Sequence, residues 1–231
     1  MRTPVDLKRI TTILFDFDGT LADTSEAIVR SMMTTLDEFG IGGYERSYLL
    51  ATIGRPLLDV AGELCPGRGE EFRRRYREIH TEDHLAAARP YPGVSAALER
   101  LRAAGYGLGI VTSKSRMMLE LGIEQFGFKG YFDVSVSAED VAKHKPEPEP
   151  VLKALELAGV PGDLAMMVGD TVADVVAGKR AGTWTAAALW GVGKRDDLLA
   201  AGPDLALDNI GDLVSRVCFD RGSAVVRERP R

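Results

Sequence analysis

Two carboxylates stand two residues apart at Asp16 and Asp18, directly after the apolar run Ile10–Phe15. A run this apolar predicts a strand that is buried on both faces, as in a parallel sheet. The two acids then lie at the carboxyl end of that strand, where open α/β sheets bind their ligands. Two anionic groups this close repel each other unless a cation or a shared proton offsets the repulsion. Oxygen ligands favour a hard cation, so the pair predicts a magnesium site.

Later segments place further polar side chains where other strands are predicted to end, or in a charged, proline-rich loop. These side chains are Thr112, Lys145, Asp170 and Asp174. Asp174 follows Asp170 by four residues, so one helical turn brings both carboxylates to the same point. Each also has an ordinary structural interpretation. A Thr or Asp at a strand end commonly caps the next helix, and a charged loop rich in proline is simply rigid.

Strands and helices are predicted to alternate through the second half of the chain. The predicted strands lie at 108–112, 132–136, 164–169, 183–189 and 204–207. Helical patterns separate these strands, and glycines end several of the helices. Such alternation is typical of an α/β fold with a doubly wound, Rossmann-like parallel sheet.

Residues 24–88 interrupt this alternation with helical patterns alone, so they are predicted to form an inserted all-helical cap domain. Asp23 and Glu26 predict a capping box at its first helix. The α/β core domain is then expected at 1–23 and 89–220, followed by a disordered tail at 221–231.

The composition is ordinary for a globular protein of 231 residues, with 45% hydrophobic and 27% charged residues. A net charge of −5 gives no general attraction to nucleic acid or anionic lipid. The chain has no membrane-spanning apolar run and no signal-peptide pattern, so a cytoplasmic location is expected. The basic run 72–77 is interpreted as a solvated helix face.

The hexapeptide Asp16–Leu21, Asp-Phe-Asp-Gly-Thr-Leu, resembles the first motif of the haloacid dehalogenase superfamily in its phosphatase branch. The resemblance implies that Asp16 is a nucleophile that becomes phosphorylated. It implies that Asp18 is the general acid and base, with its backbone carbonyl on the metal. It also places Gly19, which permits the tight turn, and Thr20 beside the substrate.

The later segments are similar to the remaining three motifs of that superfamily, in the same order. Thr112 would hold a phosphoryl oxygen. Lys145 would neutralise the nucleophile and the transferring phosphoryl group, in a loop where His144 replaces a common glycine. Asp170 would ligate Mg²⁺ directly, and Asp174 would ligate it or orient a bound water.

Three further residues are candidates for substrate binding. Ser113 stands where many relatives have Asn, and Lys114 is a cation beside it. The turn Thr52–Leu57 resembles one that faces the active site in phosphoglycolate-phosphatase-like enzymes, a branch that includes bacterial pyrophosphatases. Arg55 in this turn is therefore a candidate to bind a substrate carboxylate or second phosphate. The alternative is an exposed arginine at a helix start.

Asp18 favours phosphoryl transfer, because the dehalogenases of the superfamily act on carbon and lack this second acid. The resemblance implies a magnesium-dependent phosphatase of a small phosphorylated metabolite, such as a phosphoglycolate-like phosphomonoester, acting through an aspartyl phosphate. Three alternatives stay open: an inorganic pyrophosphatase of the same branch, a sugar-phosphate phosphomutase, and a non-catalytic protein that binds a phosphate ligand. The oligomeric state is expected to be a monomer or a homodimer.

Overall fold

The computed structural model describes residues 6–219, so the predicted tail at 221–231 lies outside the described residues. Its strands are β1 (Thr12–Phe15), β2 (Ala22–Asp23), β3 (Arg89–Pro90), β4 (Gly107–Val111), β5 (Val134–Val136), β6 (Ala165–Gly169), β7 (Trp184–Ala188) and β8 (Leu205–Leu207). Six of them form one parallel sheet in the order β5–β4–β1–β6–β7–β8. The predicted α/β class with a Rossmann-like parallel sheet is confirmed.

The helices follow in chain order as α1 (Ser25–Glu38), α2 (Arg46–Leu50), α3 (Leu57–Leu64), α4 (Gly69–Ala87), α5 (Val94–Ala103), α6 (Arg116–Gln125), α7 (Glu149–Ala158), α8 (Val172–Arg180), α9 (Arg195–Ala200) and α10 (Ile210–Phe219). A short 3-10 turn at Ala138–Asp140 follows β5. Within residues 6–219, no helix combines the length and the apolar character that crossing a bilayer requires.

Strand β1 is buried on both faces, which is why Ile13, Leu14 and Phe15 are all apolar. Ile13 and Phe15 join the hydrophobic cluster that includes residues of α5 and α10. Leu14 joins the cluster on α7 and α8 instead, because successive side chains of a strand point to opposite faces. Strands β4 and β6 pair with β1 in parallel register. The carboxyl ends of these three strands therefore meet at one edge of the sheet.

Helices α1 to α4, residues 25–87, are called the helical region here. They enclose a hydrophobic cluster separate from those of the sheet, formed by Val29, Met32, Leu36, Leu49, Val60, Leu64, Phe72, Tyr76 and their neighbours. Strands β2 and β3 pair antiparallel, so the chain enters and leaves the helical region side by side. The division into a cap domain at 24–88 and a core domain at 1–23 and 89–220 stays a prediction.

The predicted capping box at Asp23 and Glu26 is wrong. Helix α1 begins at Ser25, and Asp23 Oδ1 accepts hydrogen bonds from the Ser25 N–H at 3.1 Å and the Ser25 hydroxyl at 2.6 Å. Glu26 instead forms an ion pair with Arg46. Thr24 precedes the helix without capping it, because its hydroxyl is already bonded to Asp18.

Candidate active site

The predicted nucleophile Asp16 is buried at the carboxyl end of β1, next to a buried lysine. The Lys145 ammonium lies 3.0 Å from Asp16 Oδ1 and 2.6 Å from Asp174 Oδ1. It also donates a hydrogen bond to the Val111 carbonyl at 3.1 Å, which ties it to the end of β4. Burial lowers the pKa of Lys145, but the two carboxylates outweigh burial and raise that pKa above its ordinary value. Lys145 is therefore a fixed positive charge at the sheet edge.

Three buried carboxylates, those of Asp16, Asp170 and Asp174, converge at this edge. Each offers an oxygen, and these oxygens lie within 4.8 Å of one another. Burial raises the pKa of Asp16 to about 7; the Asp174 charge adds to the rise and Lys145 opposes it. Burial, together with the Asp174 and Asp16 charges, also raises the pKa of Asp170 well above its ordinary value. One ammonium does not balance three carboxylates, so the cluster lacks positive charge.

The cluster fits a magnesium ion by charge and by donor chemistry. Asp16 Oδ1 is buried and has no hydrogen-bond partner among the described residues, although the Lys145 ammonium lies 3.0 Å away as an ion pair. Carboxylate and carbonyl oxygens are the ligands that Mg²⁺ prefers. Asp16, Asp170 and Asp174 can supply carboxylate ligands, and the backbone carbonyl of Asp18 is the fourth predicted donor.

Asp170 is held by hydrogen bonds on both of its carboxylate oxygens. The Thr20 hydroxyl donates to Oδ1 at 3.0 Å, and the Val192 N–H donates to Oδ2 at 2.9 Å. Gly19 has a φ of +86°, and a Cβ added there would lie 2.2 Å from Asp170 Oδ2. Thr20 therefore positions Asp170, and Gly19 leaves space for its carboxylate. A contact of Gly19 or Thr20 with substrate stays a prediction.

Asp174 belongs to a capping box at the start of α8. Its Oδ2 accepts hydrogen bonds from the Thr171 N–H at 3.0 Å and the Thr171 hydroxyl at 2.6 Å. Helix capping is the structural alternative for Asp170, but Thr171 is the N-cap residue of α8 and forms the capping box with Asp174. The other oxygen of Asp174, Oδ1, accepts a hydrogen bond from Lys145 at 2.6 Å. Asp174 therefore holds the lysine in place with one oxygen and caps the start of α8 with the other.

The Asp18 carboxylate is paired with Lys114. The Lys114 ammonium lies 2.8 Å from Asp18 Oδ1 and 3.1 Å from Oδ2, and the Thr24 hydroxyl donates to Oδ1 at 2.8 Å. Burial raises the pKa of Asp18, but the charge and hydrogen bond of Lys114 outweigh burial, with help from Thr24, and the pKa is lowered. Lys114 is predicted from the sequence as a nearby cation, but its pairing with Asp18 is not, since no local pattern links positions 96 residues apart.

Thr112 and Ser113 follow β4 at the same edge. Thr112 is buried, and its hydroxyl oxygen accepts a hydrogen bond from the Lys114 N–H at 3.2 Å. The alternative that Thr112 caps a helix is wrong, because α6 begins at Arg116 and is preceded by Ser115. The phosphoryl-binding role predicted for Thr112 stays a prediction.

A cavity of about 240 Å³ is lined by residues of the sheet edge and of the helical region. The predicted site residues that line it are Asp16, Asp18, Arg55, Thr112, Ser113 and Lys114. Arg55 reaches it from the turn between α2 and α3, with its guanidinium 2.6 Å from Glu63. Residues from six separate chain segments thus converge on one small space, with the carboxylate cluster beside it.

His80 also lines the cavity, although it is not among the site residues predicted from the sequence. His80 and His84 lie one turn apart on α4, and their ring centroids are 5.7 Å apart. Burial lowers the pKa of His80 to about 3 and that of His84 to about 4, with the Lys114 charge adding to both shifts. Both rings are therefore neutral at pH 7. The helical spacing of four residues was the signal that the two histidines share a face.

We expect the metal-free protein to lose stability, relative to Asp16→Asn, as pH rises from about 4 to about 7. The pKa of Asp16 is 3.8 in an unfolded chain and about 7 in the fold. Across this window the folded protein holds a proton that the unfolded chain has released, so stability falls as pH rises. Urea unfolding with EDTA, at several pH values, measures the difference between the wild type and Asp16→Asn.

A matched control for this experiment is Asp37→Asn, which changes an exposed acid on α1. The wild type and Asp37→Asn should show the same pH dependence. Because Mg²⁺ competes with the proton for the carboxylate, the stabilisation that Mg²⁺ gives should grow over the same window. A difference between wild type and Asp16→Asn that stays constant or rises with pH contradicts the raised pKa.

The chain is similar to known proteins in its sequence and in its fold. The model of the haloacid dehalogenase-like hydrolase family matches residues 13–188. The pyrophosphatase PpaX of Bacillus velezensis is 41% identical over 207 residues, which cover 90% of this chain and 96% of that protein. A candidate haloacid dehalogenase-like hydrolase from Bacteroides fragilis superposes with a TM-score of 0.84 at 27% identity, covering 88% of this chain and 99% of that one.

A candidate phosphoglycolate phosphatase from Lactobacillus plantarum superposes with a TM-score of 0.80 at 27% identity, covering 89% of this chain and 98% of that one. The predicted superfamily and the hydrolase class are confirmed by these relatives and by the extent of the family match. This chain belongs to the haloacid dehalogenase-like hydrolase family.

Proposed function

We propose that this protein is a magnesium-dependent phosphatase that removes the phosphoryl group of a small phosphorylated metabolite through an aspartyl phosphate on Asp16. The observation that carries the proposal is the buried Asp16 carboxylate, with Lys145 at 3.0 Å and two further carboxylates around it. A cavity of about 240 Å³ beside Asp16 suits a ligand smaller than a typical drug molecule.

The reaction begins with an electrostatic obstacle, because a carboxylate must approach an anionic phosphate ester. Lys145 offsets part of this repulsion. Bound Mg²⁺ would supply the remaining positive charge and polarise the phosphoryl group. Asp16, Asp170 and Asp174 would hold the ion by their carboxylates and Asp18 by its backbone carbonyl.

Two steps then follow on this chain's own residues. An Asp16 carboxylate oxygen bonds to phosphorus while the bond from phosphorus to the leaving oxygen breaks, and Asp18 gives that oxygen a proton. Asp18 next takes a proton from water as the water oxygen attacks phosphorus. The bond between Asp16 and phosphorus breaks, which restores the carboxylate and releases phosphate.

The pairing of Asp18 with Lys114 suits one of these steps better than the other. An ionised Asp18 with a lowered pKa is ready to accept a proton from water, but it holds none to give to a leaving group. Loss of the Lys114 contact would raise the pKa of Asp18 and favour the protonated form that gives a proton to the leaving oxygen. The helical region, which shares the cavity, would exclude bulk water while this happens, as a cap domain at 24–88.

Pyrophosphate is a second candidate substrate. The observation that favours it is the 41% identity to a pyrophosphatase across 96% of that relative. Phosphoglycolate is favoured by the fold neighbour from Lactobacillus plantarum. Both molecules carry a phosphoryl group and a second anionic group. No observation in the described residues favours phosphomutase activity or a purely binding role.

The test is phosphate release by the purified protein with Mg²⁺ on a panel of p-nitrophenyl phosphate, phosphoglycolate, pyrophosphate, sugar phosphates and nucleotides. We expect release from at least one small substrate and loss of that release with EDTA. Equal rates with and without EDTA would contradict the metal dependence. Isomerisation of a sugar phosphate without phosphate release would instead identify a mutase. If no compound of the panel releases phosphate, the proposed phosphatase activity is contradicted.

A further inference from the structure

The helical region contributes an arginine to the cavity whose charge is poorly compensated. Arg77 on α4 lines the cavity, with its side chain 34% exposed. Its Nε is buried and has no hydrogen-bond partner among the described residues. A buried donor without a partner costs free energy, and a bound ligand that accepts from it removes that cost.

The other lysine and arginine side chains that line the cavity are already paired. The Lys114 ammonium lies 2.8 Å from Asp18, the Arg55 guanidinium lies 2.6 Å from Glu63, and Arg73 lies 2.7 Å from Glu70. Each of these cations is engaged with a carboxylate at hydrogen-bond distance. In the described part of the chain, they leave Arg77 as the lining cation with the weakest partner.

The nearest carboxylate to Arg77 is that of Glu139, in the 3-10 turn after β5. The Nη2 atom of Arg77 lies 3.5 Å from Glu139 Oε1, which is longer than a good hydrogen bond. Glu139 Oε2 already accepts a hydrogen bond from the Arg116 N–H at 2.8 Å. Glu139 therefore holds Arg77 loosely and leaves donors of its guanidinium available.

The surroundings strengthen any interaction that Arg77 makes. Met32, Val60 and Met118 also line the cavity and are nearly fully buried. Apolar walls lower the local dielectric, so a charge–charge contact is stronger there than in water. His80 adds no positive charge near neutral pH, because burial lowers its pKa to about 3.

We propose that Arg77 is the specificity-determining residue of a second anion subsite, which binds the negatively charged group of the substrate that is not transferred. This inference rests on the proposed function, since it names the residue that binds the far end of the substrate whose phosphoryl group Asp16 attacks. A planar guanidinium with several N–H donors suits a second phosphoryl group or a carboxylate. The substrate class is then a small phosphate compound with a second anionic group.

The test is the specificity ratio, defined as kcat/KM for pyrophosphate or phosphoglycolate divided by kcat/KM for p-nitrophenyl phosphate, which lacks the second anion. In Arg77→Met we expect at least one ratio to fall roughly 10- to 100-fold, chiefly through KM. The specificity ratios of Arg77→Lys should lie between those of the wild type and those of Arg77→Met, because an ammonium keeps the charge but not the paired donors. Loss on pyrophosphate alone assigns a phosphoryl group, and loss on phosphoglycolate alone assigns a carboxylate.

The matched control is Arg74→Met, which removes an exposed arginine of the same helix that does not line the cavity. Its ratios should equal those of the wild type. Ratios that stay within about twofold of wild type in both Arg77→Met and Arg77→Lys overturn the inference. If Arg77→Met does not fold, Arg77→Lys alone decides by the same criterion.

Calorimetric titration keeps this inference separate from the proposed function. Magnesium-loaded Asp16→Asn, with and without Arg77→Met, is titrated with pyrophosphate and with phosphoglycolate. We expect Arg77→Met to weaken the binding of at least one of these ligands by roughly 10- to 100-fold. If the single and the double variant bind each ligand with the same affinity, the subsite is overturned. A wild type that releases no phosphate from any compound of the panel, while the titration shows the expected loss of affinity, refutes the phosphatase and retains the subsite.

Discussion

Asp16→Asn should lower kcat for phosphate release by about 10⁴-fold or more without loss of thermal stability. Asn has almost the same shape as Asp, but its amide cannot attack phosphorus. The substitution also removes one of three buried carboxylates that lie close to one another, and Lys145 keeps Asp174 at 2.6 Å. The lost attraction to Lys145 is therefore offset by lower repulsion within the cluster. Steady-state kinetics and thermal melting of the two proteins measure both expectations.

The control for this prediction is Asp37→Asn, the same chemical change at an exposed position of α1. Its kcat should equal that of the wild type. An Asp16→Asn preparation that keeps kcat within about tenfold of wild type would show that Asp16 is not the nucleophile.

Lys145→Met should damage both stability and activity. Removing one partner of a buried ion pair leaves charge uncompensated, which typically costs about 3–5 kcal/mol. Here the substitution leaves Asp16 and Asp174 without their cation. The free energy of unfolding in EDTA should fall by about that amount at pH 8, and by less at pH 5, where a proton can replace the cation on Asp16. Loss of a cation beside the transferring phosphoryl group should lower kcat by about 10²- to 10³-fold.

Urea unfolding with EDTA and with Mg²⁺ tests this expectation, since Mg²⁺ should restore part of the lost stability. Lys143→Met is the matched control, because Lys143 is exposed in the same loop. An unfolding midpoint of Lys145→Met equal to that of Lys143→Met would mean that Lys145 does not offset the carboxylate cluster.

The sheet and the meeting of its strand ends could be predicted from sequence, because each rests on a pattern that burial imposes. A strand with hydrophobic clusters on both faces needs apolar residues at consecutive positions, and Ile13, Leu14 and Phe15 supply them in β1. Parallel strands end at the same edge, so Asp16 and Asp170 could be expected together, with Asp174 one helical turn further on. Lys145 lies in a loop, and only the resemblance to the superfamily implied its place beside them. Their contacts in the structure agree with that expectation.

The contacts across the cavity could not be predicted in the same way. The basic run 72–77 predicts a solvated helix face, and Arg74 is exposed in agreement with that prediction. Arg73 and Arg77, four residues apart on one side of α4, instead line the cavity. A helical pattern shows which residues share a face, but it does not show which other surface lies opposite that face.

Local signals also failed where a distant group competed for the same side chain. Asp23 and Glu26 have the spacing of a capping box, yet Glu26 pairs with Arg46 instead. The Thr24 hydroxyl donates its hydrogen bond to Asp18, and the Asp18 carboxylate is also paired with the Lys114 ammonium. A capping preference is worth about 1 kcal/mol, so tertiary contacts with a buried charge readily displace it.

The central claim is that Asp16 carries the phosphoryl group during turnover, and chemical trapping tests it most directly. Asp18→Asn is mixed with Mg²⁺ and p-nitrophenyl phosphate, whose leaving group needs little protonation, so that phosphorylation proceeds and hydrolysis stalls. Borohydride then reduces the acyl phosphate to an alcohol, and mass spectrometry locates the change. We expect homoserine at position 16, dependent on substrate and Mg²⁺. Release of p-nitrophenol with Asp16 unmodified, or homoserine at another acid, would contradict it.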